Sequence, residues 1–297
     1  MRRSMSGRTF PSTGAVGAGA MTLAPADQTR EIAGFDDTET TTRTDVAWEP
    51  VSDRKIRVGI AGYGICQFGA AFGFQDHPNV EVVAVSDLIP ERCEGLAKAC
   101  RCDKTYPSLE EMVKDDAIEA IFVATDAPSH MRHCIEALNH GKHVASAAPA
   151  VFGSLEQADT LYEAVKRSGL NYMMFETSAF HNESYAMRKV YDAGYFGHLI
   201  YSEGAYYHYS DTQTNSCKGW RIGLPPQWYP THSNAYYTCI TGGSHGYLTE
   251  EFITSIIEER APLVNIAWAL NMTVAGIVAH ESAIKDGELM GIPQYTW

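Results

Sequence analysis

The chain has 297 residues, a formal net charge of −13 with histidines neutral, and a sequence pI of about 5.3. That length is enough for two domains with real cores. The acidic balance argues against nucleic acid or an anionic membrane surface as a partner, and no apolar run is long enough to span a bilayer. The seven cysteines are odd in number, and only Cys100 and Cys102 lie close in sequence, with no second pair at metal-site spacing. They read as small buried residues and predict neither a disulfide framework nor a metal site.

The first 53 residues do not read as part of the fold. Arg2, Arg3 and Arg8 are basic, Phe10 to Leu23 is weakly apolar and rich in Gly and Ala, and Ala24-Pro25-Ala26 has the small-x-small form of a cleavage site. The stretch resembles a twin-arginine export signal. It departs from that pattern in placing Gly7-Arg8 where two arginines would precede x-Phe, and Pro11 follows. The resemblance implies export to the periplasm. The other reading is an unprocessed, disordered tail on a cytoplasmic protein. Asp27 to Asp53 is polar and reads as a linker.

Arg54 to Asp87 carries the strongest signal. Ile56 to Ala61 is an apolar run that reads as a buried parallel strand, followed by glycines at 62 and 64 and a helical pattern from Ile65 to Gln75. A second apolar run, Val80 to Val85, stops at Ser86-Asp87. This is a βαβ unit with a glycine turn at its first strand–helix junction. Glycine lets the backbone approach a pyrophosphate, a helix N-terminus offers free N–H groups, and an acid at the end of the second strand accepts hydrogen bonds from a ribose. Gly62, Gly64, Ile65 and Asp87 are therefore dinucleotide-site candidates. The usual third glycine position holds Gln67, and Gly69 comes two residues late. Arg92 could reach a 2′-phosphate, or be a solvated helix residue, so the cofactor reads as NAD with NADP left open.

Further elements alternate. Pro90 to Ala99 is a helix, and Ser108 with Glu111 forms a capping box. Ile118 to Ala124 is a third strand, with Thr125 to His130 as the loop at its end. Ser129 is placed to cap a helix that runs to Leu138 and ends at Gly141. Lys142 to Ala145 is a fourth strand, Ser154 and Gln157 cap another helix, and Asn171 to Phe175 is a fifth strand. The alternation predicts a doubly wound parallel sheet whose ligand crevice lies beyond the strand C-termini.

The succession GIAGYG, VSD, VATDAPSH and ALNHGKHV, with a proline following, resembles the Gfo/Idh/MocA family of NAD(P)-dependent oxidoreductases. The resemblance covers roughly Lys55 to Tyr209. It implies a Rossmann domain, here 54–175, followed by a substrate and oligomerisation domain, here 176–297, built as an α/β layer on an antiparallel sheet. It also implies a sugar or polyol substrate, and often a homodimer. Thr125 and His130 fall in the loop that the family places near the nicotinamide. The bland reading of His130 is a helix-capping surface histidine. Where the family carries Glu-Lys-Pro, this chain has Ala147-Ala148-Pro149, so the lysine that would polarise the substrate oxygen is missing.

Beyond Phe175, Tyr185 to Asp192 reads as a helix and Leu199 to Tyr209 as a strand with Tyr201, Tyr207 and Tyr209 on one face, either core or a sugar-stacking surface. Trp220-Arg221 resembles the Trp-Arg before the family's substrate loop. Tyr229-Pro230-Thr231-His232 resembles the segment holding its catalytic histidine, and most of all the branch of NAD-dependent glycosidases. Imidazole titrates near neutral pH, so His232 is the first candidate for general base, against a structural histidine in a tight loop. Tyr247 to Glu259 and Pro262 to Lys285 read as closing helices. With about 120 residues after the Rossmann part, strands of the second sheet look missing, so the closing helices should expose apolar surface. Three readings follow: a sugar or polyol oxidoreductase, a glycosidase-like enzyme with tightly held NAD, and a decayed nucleotide-binding protein.

Overall fold

The computed structural model describes residues 50–64, 67–201, 203 and 244–297. The export-signal and linker expectations for 1–49 lie outside these residues, as do Ile65, Trp220, Arg221, His232 and most of the expected tyrosine strand; 199–201 are not in a strand.

Six parallel strands form the sheet: β1 (Ile56–Ala61), β2 (Val80–Ser86), β3 (Thr105–Tyr106), β4 (Ala120–Val123), β5 (His143–Ala147) and β6 (Tyr172–Phe175). Their order is β3-β2-β1-β4-β5-β6, the doubly wound arrangement that reverses direction between β1 and β4. β4 and β6 are buried at every residue, which is why they read as unbroken apolar runs. β3 was not expected. It is a two-residue edge strand, neither residue of it buried, and such a piece leaves no periodic trace.

The helices include α1 (Phe68–Ala71), α2 (Pro90–Cys100), α3 (Leu109–Met112), α4 (His130–Asn139), α5 (Leu155–Ser168), α6 (Asn182–Asp192), α7 (Ser244–Ile257) and α8 (Ile266–Ile284). Ser108 accepts from the Glu111 amide at 3.3 Å and Ser154 from the Gln157 amide at 3.2 Å, the serine half of each capping box, while the Gln157 side chain accepts from the Phe152 amide at 3.0 Å. Two expectations need correction. The helix expected from Ile65 to Gln75 shrinks to α1 and a 3₁₀ turn at Phe74–Asp76, because Gly73 at φ 74° breaks it. Ser129 does not cap α4. It ends a 3₁₀ turn opened by Asp126, and its hydroxyl donates to the Asp126 carboxylate at 2.9 Å.

The described part of 244–297 lies on the sheet. Phe252 of α7 meets Phe74 and Phe175 edge-on, with ring centres 6.5 and 6.1 Å away. Phe122 and Phe175 lie 5.0 Å apart, and Phe72 touches both. Thr249 donates to the Phe72 carbonyl at 2.7 Å, and His77 bridges to Glu250 at 2.8 Å. The turn between α7 and α8 covers the open edge of β6: the Met174 amide donates to the Val264 carbonyl at 3.1 Å, and Asn171 donates to Ser255 and to the Arg260 carbonyl at 3.0 Å each. An uncovered edge would be a template for another chain. On α8, Trp268 and Met272 are 47% and 43% exposed.

The aromatic cluster is what joins α7 to the sheet. Phe252→Ala should therefore cost about 3–5 kcal/mol of stability, read as a lower urea midpoint with an unchanged slope. A loss under about 1 kcal/mol would show that α7 is held by its polar contacts instead.

Candidate functional site

The glycine turn leaves β1 at its C-terminal end. Gly62 has φ 106°, and a Cβ there would lie 2.3 Å from the Ala124 carbonyl oxygen and 2.8 Å from the Thr125 amide nitrogen. No side chain fits, so the ends of β1 and β4 meet backbone to backbone. The Gly62 amide donates to the Ser86 carbonyl at 2.8 Å, which ties in β2 as well. A Cβ on Gly64 would meet nothing within 4 Å, so that position faces open space. Gly69 takes over the part of the displaced third glycine. A Cβ there would sit 2.4 Å from the Gly62 carbonyl and 2.9 Å from Leu96, so only glycine lets α1 press onto the turn.

Asp87 stands at the end of β2. One carboxylate oxygen accepts from the Tyr63 amide at 2.7 Å and the other from the Ile89 amide at 2.9 Å. Each oxygen keeps a second lone pair for a ribose hydroxyl. Arg92 sits half-buried in the first turn of α2, and its guanidinium has no hydrogen bond or ion pair among the described residues.

Thr125 follows β4. Its hydroxyl is 2.8 Å from His133 Nδ1, and its carbonyl is 3.1 Å from His130 Nε2. His130 is 2% exposed, with Nδ1 2.8 Å from the Pro149 carbonyl and Nε2 3.1 Å from the Thr125 carbonyl. Burial holds its pKa below the usual histidine value. This corrects the surface-histidine reading. Both ring nitrogens face carbonyls, and the neutral ring has a single N–H, so it donates to one of the two. The ring lies buried between the loop after β4 and the loop after β5. Ala148, the methyl side chain in place of the family lysine, is exposed on that second loop. His133 gave no sequence signal: its meaning arises only when α4 packs back over Thr125.

Gly62, Gly64, Asp87 and Thr125 thus meet along one edge of the sheet, at the reversal of strand order, where doubly wound sheets bind their ligands. The open space at Gly64 and the spare lone pairs of Asp87 fit a pyrophosphate and a ribose. Among the described residues no group of three or more His, Cys, Asp or Glu is placed to hold a metal ion, and no helix is long and apolar enough to cross a membrane.

Residues 56–176 match the family model described as an oxidoreductase family with an NAD-binding Rossmann fold. This segment belongs to the Gfo/Idh/MocA family. As a Gfo/Idh/MocA domain it is NAD-binding. Among curated proteins the chain is similar to glycosyl hydrolase family 109 protein 1 of Bacteroides fragilis, 28% identical over 162 residues, covering 52% of this chain and 35% of that one. It is 31% identical over 162 residues to glycosyl hydrolase family 109 protein 3 of Phocaeicola vulgatus, covering 52% of this chain and 29% of that one. The chain therefore spans about a third of the length of the curated relatives it matches. Among solved structures, a scyllo-inositol dehydrogenase from Lactobacillus casei with bound NAD(H) and scyllo-inositol aligns with a TM-score of 0.45 at 21% identity, covering 48% of this chain and 43% of that one.

His130, His133, His143 and His245 are all held below the ordinary histidine pKa, chiefly by burial. A depressed folded-state pKa gives stability that is complete above the unfolded value, about 6.5, and is lost as pH falls below it. The melting temperature should be flat from pH 8 to 7 and decline from about pH 6.5 downward. Glu110, brought down to about 2 by Arg132, adds a second decline below about pH 4.5. A melting temperature that rises between pH 6.5 and 5 would contradict this assignment.

Proposed function

We propose that the chain carries the cofactor-holding part of an NAD-dependent oxidoreductase acting on a sugar or polyol. The observation that carries this reading is the glycine turn, open at Gly64 and flanked by Asp87 and Thr125 at the reversal of strand order. Nicotinamide, when bound, supplies the hydride acceptor or donor. The chain's own residues orient it: the turn amides meet the pyrophosphate, Asp87 takes the ribose hydroxyls, and Thr125 borders the turn. Residues 54–175 form the cofactor domain and 176–297 the substrate domain. Trp220 and Arg221 contact substrate, and His232 takes or gives its hydroxyl proton. The exposed methyl of Ala148 cannot carry the proton or charge of the usual lysine, so proton transfer rests on His232.

A second reading is favoured by the names of the curated relatives, glycosyl hydrolases of family 109. Here NAD is held tightly and used for a transient oxidation of the sugar, with no net redox change. An aryl glycoside assay on dialysed protein separates the two. Hydrolysis without added cofactor supports the glycosidase reading. Net NADH formation with a polyol supports the dehydrogenase reading, and His232→Ala should abolish either. A protein that NAD stabilises thermally, with neither activity, would be a nucleotide binder alone.

For the cofactor, Asp87→Ala should weaken NAD binding by roughly tenfold or more, from the loss of a charged hydrogen-bond acceptor, measured by calorimetry. The same change should narrow any preference for NAD over NADP, because the Asp87 carboxylate would repel a 2′-phosphate. Unchanged NAD affinity would place the ribose elsewhere.

A further inference from the structure

The Thr125 hydroxyl ends a chain of polar side chains that the cofactor reading alone does not require. Glu110 accepts from Arg132, which in turn donates to His133 Nε2 at 2.8 Å. His133 Nδ1 lies 2.8 Å from Thr125 Oγ1. Arginine has donors only. Its N–H on Nε2 therefore requires a bare nitrogen there, which places the ring proton on Nδ1. That proton is donated to Oγ1, so the hydroxyl of Thr125 accepts from His133 and keeps its own hydrogen. The hydroxyl hydrogen has no other acceptor among the described residues, and the Thr125 peptide nitrogen borders the Gly62 turn.

We propose that Glu110, Arg132 and His133 form a relay that fixes the Thr125 hydroxyl as a hydrogen-bond donor toward a pyrophosphate oxygen of the bound dinucleotide, with His133 as a positioning residue. The proposal rests on the dinucleotide reading and adds the direction of one hydrogen bond to it. The opposite ring tautomer would have Nδ1 accept the Thr125 hydrogen, which turns a lone pair toward an anionic ligand. Arg132 prevents this. Its side chain is 60% exposed, so it can be replaced with little disturbance of the core. Glu110 Oε1 also lies 3.7 Å from His133 Nε2, and that carboxylate holds the guanidinium in place.

The test is NAD affinity by calorimetry on the full chain, in a double-mutant design. Thr125→Val should weaken binding by roughly five- to tenfold, and Thr125→Ser, which keeps the hydroxyl, should restore it to within about twofold. Arg132→Met and His133→Leu should each weaken binding severalfold. Neither should have any further effect when combined with Thr125→Val. Additive losses in that background would show that His133 and Arg132 act through the fold, and would overturn the relay. So would a Thr125→Val protein that binds NAD as the parent does. The nitrogen-15 shifts of the His133 ring give an answer that needs no cofactor: an Nδ1–H tautomer supports the relay, and an Nε2–H tautomer overturns it. Parent protein that binds no NAD would remove the dinucleotide reading and the ligand end of the relay, and the ring tautomer would still decide the rest.

Discussion

The structure depends on one backbone contact, the approach of Gly62 to the Ala124–Thr125 peptide. Any side chain at Gly62 would have to enter the space occupied by the Ala124 carbonyl oxygen. The contact joins β1 to β4 at the point where the sheet reverses, so it fixes the width of the crevice above. Gly69 extends the same constraint to α1, which could not otherwise lie on the turn. Two glycines thus answer to packing in the fold, while Gly64 has open space around it. The distinction matters because all three look alike in a motif. Only the contacts around each show which is there for packing and which for access.

From that contact outward, the site is assembled from backbone more than from side chains. Asp87 is held by two amides, His130 lies between two carbonyls, and the turn is held by the Ser86 carbonyl. Such groups are set by strand register, in the β1–β2 pairing for Ser86 and Asp87 and in the β4–β5 pairing for the loops around His130. The aromatic cluster of Phe72, Phe74, Phe122, Phe175 and Phe252 then keeps the segment after α1 from moving away from the sheet.

Much of this was legible in the sequence, for definite reasons. β1, β2, β4, β5 and β6 announced themselves as apolar runs because a parallel sheet covered on both faces asks for nothing else. β3 did not, because two half-wet residues at an edge carry no period. α1 was overestimated because Phe68, Phe72 and Phe74 keep an apolar rhythm through Gly73, and rhythm does not report a positive φ. The candidate cofactor residues Gly62, Gly64, Asp87 and Thr125 could be named in advance because topology alone carries strand ends to one edge. His133 could not. Eight residues separate it from Thr125, and nothing in that spacing identifies a ring nitrogen that meets a hydroxyl. The alternative reading of His130 as a surface histidine fails because the ring is buried between two carbonyls, a placement that sequence does not report.

The same division explains how a domain of this kind can keep its cofactor crevice while its chemistry changes. A pyrophosphate is met by peptide amides, which every residue but proline possesses, so the crevice tolerates side-chain exchange wherever the backbone path is preserved. Proton transfer has no such tolerance. It requires a titratable group at one place with a pKa near the working pH. Ala148 illustrates the contrast. A methyl group in place of a lysine leaves β5 and its loop in register and costs the crevice nothing in shape. It nevertheless leaves the loop after β5 without the charge and proton that a lysine would bring. His130 is buried between the Pro149 and Thr125 carbonyls, and that burial holds its pKa down. On the proposed reading of an oxidoreductase, the burden of proton transfer passes to residues beyond the Rossmann sheet.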